Sequence, residues 1–275
     1  MVKGFCEIFK LTNKYIVLAT PLILYTLFTS VYLAASATGK LINLLIAVVL
    51  FALMTSAFIA GWFNMIKIAV SAHARDDGNS LIKEFLPGVG DYFLPSLGLV
   101  CNIFILIVLM FILSFVVGAK FIGDPGISPE ALSKALETAA ALKALFASLT
   151  IEQLEKLNQW NILLLSTISL SYFLVILYLP ALFFKRKNPY SAFFISLKDL
   201  FSKNIFKTLA IYVLLFIINA IISVLSTLFI GNVIMHFVLT LANFYFITLA
   251  ALGIFYYYFK TFIEPQIGQN IDARV

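Results

Sequence analysis

From Ile103 to Val117 the chain reads Ile-Phe-Ile-Leu-Ile-Val-Leu-Met-Phe-Ile-Leu-Ser-Phe-Val-Val, with one hydroxyl and no charge. A helix on a globular surface needs a polar face, and this run has none. A hydrocarbon core of roughly 30 Å takes about 20 apolar residues to cross as a helix. Carried outward to its turn-forming boundaries, the run predicts a span over Tyr92–Ile122. Five more of the same kind follow by the same reasoning: Tyr15–Ser36, Leu41–Ser71, Asn161–Phe184, Asn204–Ile230 and Asn232–Ile263.

The composition agrees. With 62% hydrophobic and 12% charged residues and a mean hydropathy of +1.04, the chain lacks the residues for an ordinary soluble surface. The expected fold class is all-α, a polytopic membrane bundle of six transmembrane helices forming one membrane domain over 1–275. Several runs exceed the minimum length. At about 1.5 Å per residue a 30-residue helix reaches roughly 45 Å, so such helices must tilt, kink or project beyond the lipid. Pro21, Pro95 and Pro180 are the expected kink sites.

Orientation follows from Lys and Arg, which collect on the cytoplasmic side. Threading the six spans puts 14 of the 19 basic residues on one face: Lys3, Lys10, Lys14, Lys67, Arg75, Lys83, Lys185, Arg186, Lys187, Lys198, Lys203, Lys207, Lys260 and Arg274. Lys40, Lys120, Lys134, Lys143 and Lys156 fall on the other. Acids divide 8 to 5, so the whole formal charge of +6 sits on the first face. The expectation is a cell (inner) membrane protein with both termini cytoplasmic. A signal peptide ending at Ala35-Ser36-Ala37 is the competing reading of the first span, disfavoured because its apolar run is long and follows a charged segment.

Each odd-numbered span is preceded by a short amphipathic segment on the basic side. The first carries Phe5, Ile8, Phe9 and Leu11 opposite Glu7, Lys10 and Lys14; the second carries Leu81, Ile82, Phe85, Leu86 and Val89 with Lys83 and Glu84. The third opens with Asn188 as N-cap and Pro189 at the first helical position, then sets Phe193, Phe194, Leu197, Leu200 and Phe201 on one face. Such helices lie in the membrane interface. The pattern therefore predicts three modules, 1–72, 73–187 and 188–263, each an interfacial helix plus a transmembrane hairpin; ordinary aromatic and lysine anchoring explains the same features without a repeat.

The long connection, 123–160, is read as helical. Ser128-Pro129-Glu130 gives N-cap, N1 and N2, and Leu132, Leu136, Ala139, Phe146 and Leu149 continue at helical spacing. Thr150 with Gln153 reads as a capping box opening a shorter helix. Such helices over the outer end read as a static cap or an oligomer contact, or more sharply as a gating lid.

Groups for chemistry are sparse. The nearest approach to a metal site is Asp76-Asp77 with Glu84 and Asp91, which a solvated turn beside Arg75 and Gly78-Asn79, leading into an interfacial helix, explains better. Cys6 and Cys101 have no metal-ligand spacing, and His73 and His236 fall at opposite edges of the membrane, so neither a metal nor another cofactor is expected. No nucleophile motif or phosphate loop is present, and an enzyme is not expected. Near mid-membrane the polar groups include Asn102, Asn219 and Asn243. Asn219 and Asn243 fall at similar depth on adjacent spans, with His236 on the same face as Asn243. They read either as interhelical hydrogen-bonding groups or as a polar cavity for a solute. The strongest electrostatic feature is Lys185-Arg186-Lys187 with Lys198, Lys203 and Lys207, a candidate site for anionic lipid headgroups, although positive-inside topology alone also accounts for it.

Gly61-Trp62, Gly88-Val89-Gly90-Asp91-Tyr92-Phe93, and the stretch from Asn188 to Asn204 with Ala192 and Leu197 together carry a resemblance. On them the chain resembles a group of prokaryotic six-span proteins that includes the membrane domain attached to some glycerophosphodiester phosphodiesterases. The resemblance implies a membrane module with a supporting or lipid-associated role, and it carries over no catalytic residue, because the phosphodiesterase domain is not among these residues.

The functional expectation is a non-enzymatic membrane scaffold or lipid-associated module. Its expected partners are membrane lipids, anionic ones foremost, with a protein partner or a homo-oligomer open and nucleic acid not expected. The alternative is a transporter or channel for an uncharged or hydrophobic solute.

Overall fold

The computed structural model describes residues 2–36, 41–71, 78–229 and 231–266. Among them the chain is helical, with no strand. The helices are α1 (Val2–Lys14), α2 (Ala19–Ser36), α3 (Leu41–Ser71), α4 (Gly78–Lys83), α5 (Phe85–Phe121), α6 (Pro129–Glu137), α7 (Ala139–Ser148), α8 (Ile151–Val175), α9 (Tyr178–Phe184), α10 (Pro189–Leu200), α11 (Ile205–Leu228) and α12 (Val233–Tyr258). A 3₁₀ turn, Ile16–Leu18, joins α1 to α2, and a π turn, Phe259–Ile263, extends α12. Six helical stretches are long and apolar enough to cross a membrane: Ile16–Leu33, Ile46–Ser71, Phe85–Phe121, Ile151–Phe184, Ile205–Leu228 and Val233–Gln266. The protein is a multi-pass, all-α membrane protein. His73, Arg75, Asp76, Asp77, Lys40, Ala37 and Arg274 lie outside the described residues, as do the side chains of Lys3, Phe5, Asn79, Leu132, Leu136 and Ala139.

Proline places the breaks. Pro21, Pro87 and Pro180 are each the third residue of a helix, in α2, α5 and α9. A proline ring clashes with the carbonyl four residues earlier and donates no bond to it. Those earlier residues are Val17 in the 3₁₀ turn, Lys83 at the end of α4, and Ile176 in the turn between α8 and α9. The second amphipathic segment is therefore not one helix: α4 ends at Lys83, and Phe85, Leu86 and Val89 belong to the first turns of the membrane-crossing α5. Pro95, by contrast, sits inside α5 without interrupting it.

Caps follow the local sequence. Ser128 accepts from Ala131 N at 3.2 Å, and Asn188 accepts from Ser191 N at 3.1 Å. Thr150 and Gln153 form the expected reciprocal box. Two boundaries differ. Thr138 ends α6 and caps α7 by accepting from Ala141 N, which splits what reads as one helix. The helix opened by Thr150 does not stop before the fourth span but runs through it to Val175, because no Gly or Pro intervenes.

The chain divides into two compact units, 1–102 with 174–275, and 103–173. In the second, the hydroxyls of Ser114 and Thr167 are hydrogen-bonded, and Gly118 leaves room for the indole of Trp160, whose Nε1 donates to Gly123 O at 3.0 Å. Gly123 and Gly126 take positive φ in the connecting turn, a conformation that costs other residues more.

The core of the first unit is aromatic. Phe63 stacks on Phe255 at 5.2 Å, Tyr92 stacks on Phe183 at 4.3 Å, and Phe58 bridges Tyr25 and Trp62. Side chains of α3 supply donors at two of the proline breaks. Trp62 Nε1 reaches Leu18 O at 2.8 Å, and Asn64 Nδ2 reaches Glu84 O at 3.1 Å. The second bond needs α3 and α5 in close approach. A Cβ on Gly88 would lie 2.6 Å from Asn64 Cβ and 2.9 Å from Ala60 O, so the position must be glycine.

Candidate functional site

The basic cluster is organised around α10, whose two ends are both held. At its start, Tyr178 Oη donates to Pro189 O at 2.9 Å while accepting from Asn102 Nδ2 at 2.9 Å. At its end, Asp199 accepts from Lys185 Nζ at 2.9 and 3.2 Å and from Tyr258 Oη at 2.6 Å. Asp199 is only 9% exposed. A buried carboxylate is tolerable when both oxygens are paired and hydrogen-bonded, as here. Lys185 also lies 5.4 Å from the ring centres of Tyr258 and Phe262, which adds cation–π attraction.

This clamp decides which way α10 faces. Ala192, Ser196, Asp199 and Leu200 form its buried stripe, small or polar apart from Leu200. Tyr190, Phe194 and Phe201 project from the opposite side, 65, 69 and 62% exposed. A water-facing helix would bury its aromatics and expose its carboxylate; this one reverses the arrangement, as a surface in contact with lipid does. Exposed cations surround the aromatic face: Arg186 and Lys187 precede the helix, Lys198 lies on it, and Lys203 and Lys207 follow it.

The six basic residues singled out by sequence thus divide. Lys185 is turned onto Asp199, and the other five are exposed. Lys187 approaches Asp91 at 3.5 Å and sits 4.8 Å from the ring centre of Tyr92. Tyr92 in turn accepts from Lys67 Nζ at 2.8 Å and donates to Phe183 O at 3.4 Å, near the end of α9. Gly61 and Gly88 bring α3 against the start of α5, Gly98 of α5 faces Pro189, and Asp91 faces Lys187.

The polar positions of the last two spans are placed differently. Asn219 of α11 and His236 of α12 are exposed, Asn243 is half-buried, and no hydrogen bond joins the three among the described residues. Cys6 and Cys101 are free and exposed. Asp199 and Tyr258 are the residues sequence reasoning missed. No family model, curated protein or solved structure matches this chain.

Proposed function

We propose that this protein is a non-enzymatic membrane scaffold or lipid-associated module of the cell membrane, with both termini cytoplasmic, whose α10 engages anionic lipid headgroups. The observation that carries the reading is the clamped posture of α10, with Tyr190, Phe194 and Phe201 exposed among Arg186, Lys187, Lys198, Lys203 and Lys207. Aromatic rings at the headgroup level and cations beside them are the two parts of an interfacial anchor. Near an anionic leaflet each cation contributes roughly 1 kcal/mol. Because the clamp holds the helix at both ends, little ordering cost opposes binding. The resemblance to the membrane domain attached to some glycerophosphodiester phosphodiesterases points the same way.

The test is native mass spectrometry of protein reconstituted in mixed anionic and zwitterionic lipid and then gently extracted. Replacing the five exposed cations with Gln should strip anionic lipid from the retained set while zwitterionic lipid stays. Retention unchanged by all five substitutions overturns the reading.

A further inference from the structure

A separate feature lies between α1, the entry to α2, and α12, where a groove of about 240 Å³ is lined by Thr12, Ile16, Ala19, Ile23, Leu241, Phe244, Tyr245 and Thr248. Its floor is formed by the wholly buried Thr12 and Thr248. Their hydroxyls donate to Ile8 O and Phe244 O of their own helices, each at 2.9 Å, and so offer no proton to an occupant. Tyr245 Oη is likewise committed, donating to Asn13 Oδ1 at 2.7 Å. The remaining lining is aliphatic or aromatic carbon, and Ile16 and Leu241 at the rim are exposed. The groove is therefore apolar in effect although two threonines form its base.

The groove is built in advance of any occupant. α1 is held on α12 by the Tyr256–Glu7 hydrogen bond, by Asn13 on Tyr245, and by the edge-to-face contact of Phe9 with Tyr245 at 6.1 Å. Its volume is below the roughly 300–1,000 Å³ of sites for whole small ligands. A helix about 10–12 Å across does not enter it either. A single hydrocarbon chain does, and in a membrane that is the apolar group at hand.

Charge selects among lipids. On α1 Glu7 accepts from Tyr256, and Lys10 is exposed. Lys10 stands one helical turn before Asn13, the residue that accepts from Tyr245. We propose that this groove binds one acyl chain of an anionic phospholipid, with its headgroup beside Lys10. The inference is independent of the α10 reading and uses none of its residues.

The experiment uses the full chain in nanodiscs containing phosphatidylglycerol with a diazirine in one acyl chain, and the photoadducts are mapped by peptide mass spectrometry. Adducts should concentrate on residues 16–23 and 241–248 over the stretch 213–221 of α11, which is more exposed than either. Filling the groove with Ala19→Phe, or narrowing its rim with Ile16→Trp, should lower them on the order of tenfold, the loss expected when about two methylenes of contact are excluded. Lys10→Gln should remove the preference over a phosphatidylcholine analogue. Labelling no denser there than on α11, labelling unchanged in both filled variants, or a peptide crosslink to a second copy in place of lipid each overturns the proposal. Substituting the cations around α10 should leave this labelling as it was, which separates the two sites.

Discussion

Lys185 Nζ, just past the end of α9, stands 2.9 Å from Asp199 Oδ2, near the end of α10, and the pair is largely enclosed. Enclosure makes it sensitive to loss of either partner, because the survivor keeps its charge without compensation. Asp199→Ala should therefore lower stability by about 3–5 kcal/mol, whereas Lys185→Met combined with Asp199→Leu should recover most of the loss. Chemical denaturation in detergent, with both variants side by side, measures this.

The same pairing separates two roles within one basic run. Lys185→Gln should lower stability and leave affinity for anionic vesicles nearly unchanged. Neutralising Arg186 and Lys187 together should do the reverse, weakening vesicle binding by roughly 2 kcal/mol at low salt. The effect should shrink as ionic strength rises. Vesicle co-flotation at two salt concentrations reads both.

Two glycines in one helix should respond oppositely. Gly88→Val forces a side chain onto Asn64 and the Ala60 carbonyl and should cost about 1–3 kcal/mol or more. A Cβ on Gly90 meets nothing within 4 Å, so Gly90→Ala should be neutral or stabilise by up to about 1 kcal/mol. Thermal melts of the two variants make the comparison.

In the 103–173 unit, Ser114 donates to Thr167, whose own proton goes to Leu163 O at 2.8 Å. A double-mutant cycle with Ser114→Ala and Thr167→Val should return a coupling of about 0.6 kcal/mol and no more than about 2. A null coupling would place the two hydroxyls apart in the membrane.

Features whose cause is local were legible in the sequence. Ser128, Asn188 and the Thr150–Gln153 box are read correctly because a cap is decided within four residues. Proline was harder. Pro21 and Pro180 stand out within apolar runs, whereas Pro87 lies inside an amphipathic pattern running from Leu81 to Val89, which hides the break after Lys83. Thr138 was overlooked because Ala and Leu keep helical spacing on both sides of it. The α10 site was half visible. Its cations and aromatics form a run, but Asp199 sits between Lys198 and Leu200 like any solvated acid, and its second partner, Tyr258, lies 59 residues away. Only the tertiary contact reveals that the carboxylate points inward and the aromatics outward.

The closing hydrogen bonds of both α1 and α10 come from α12. Tyr258 completes the hold on α10, while Tyr245 and Tyr256 hold α1, the latter across 249 residues. During synthesis, then, α1 and α10 must both wait for α12 to leave the ribosome. Until it inserts, Asp199 has Lys185 alone and Glu7 has no tyrosine. A nascent chain stalled before Tyr245 should accordingly expose α1 and α10 to proteases that cannot cut them in the finished protein.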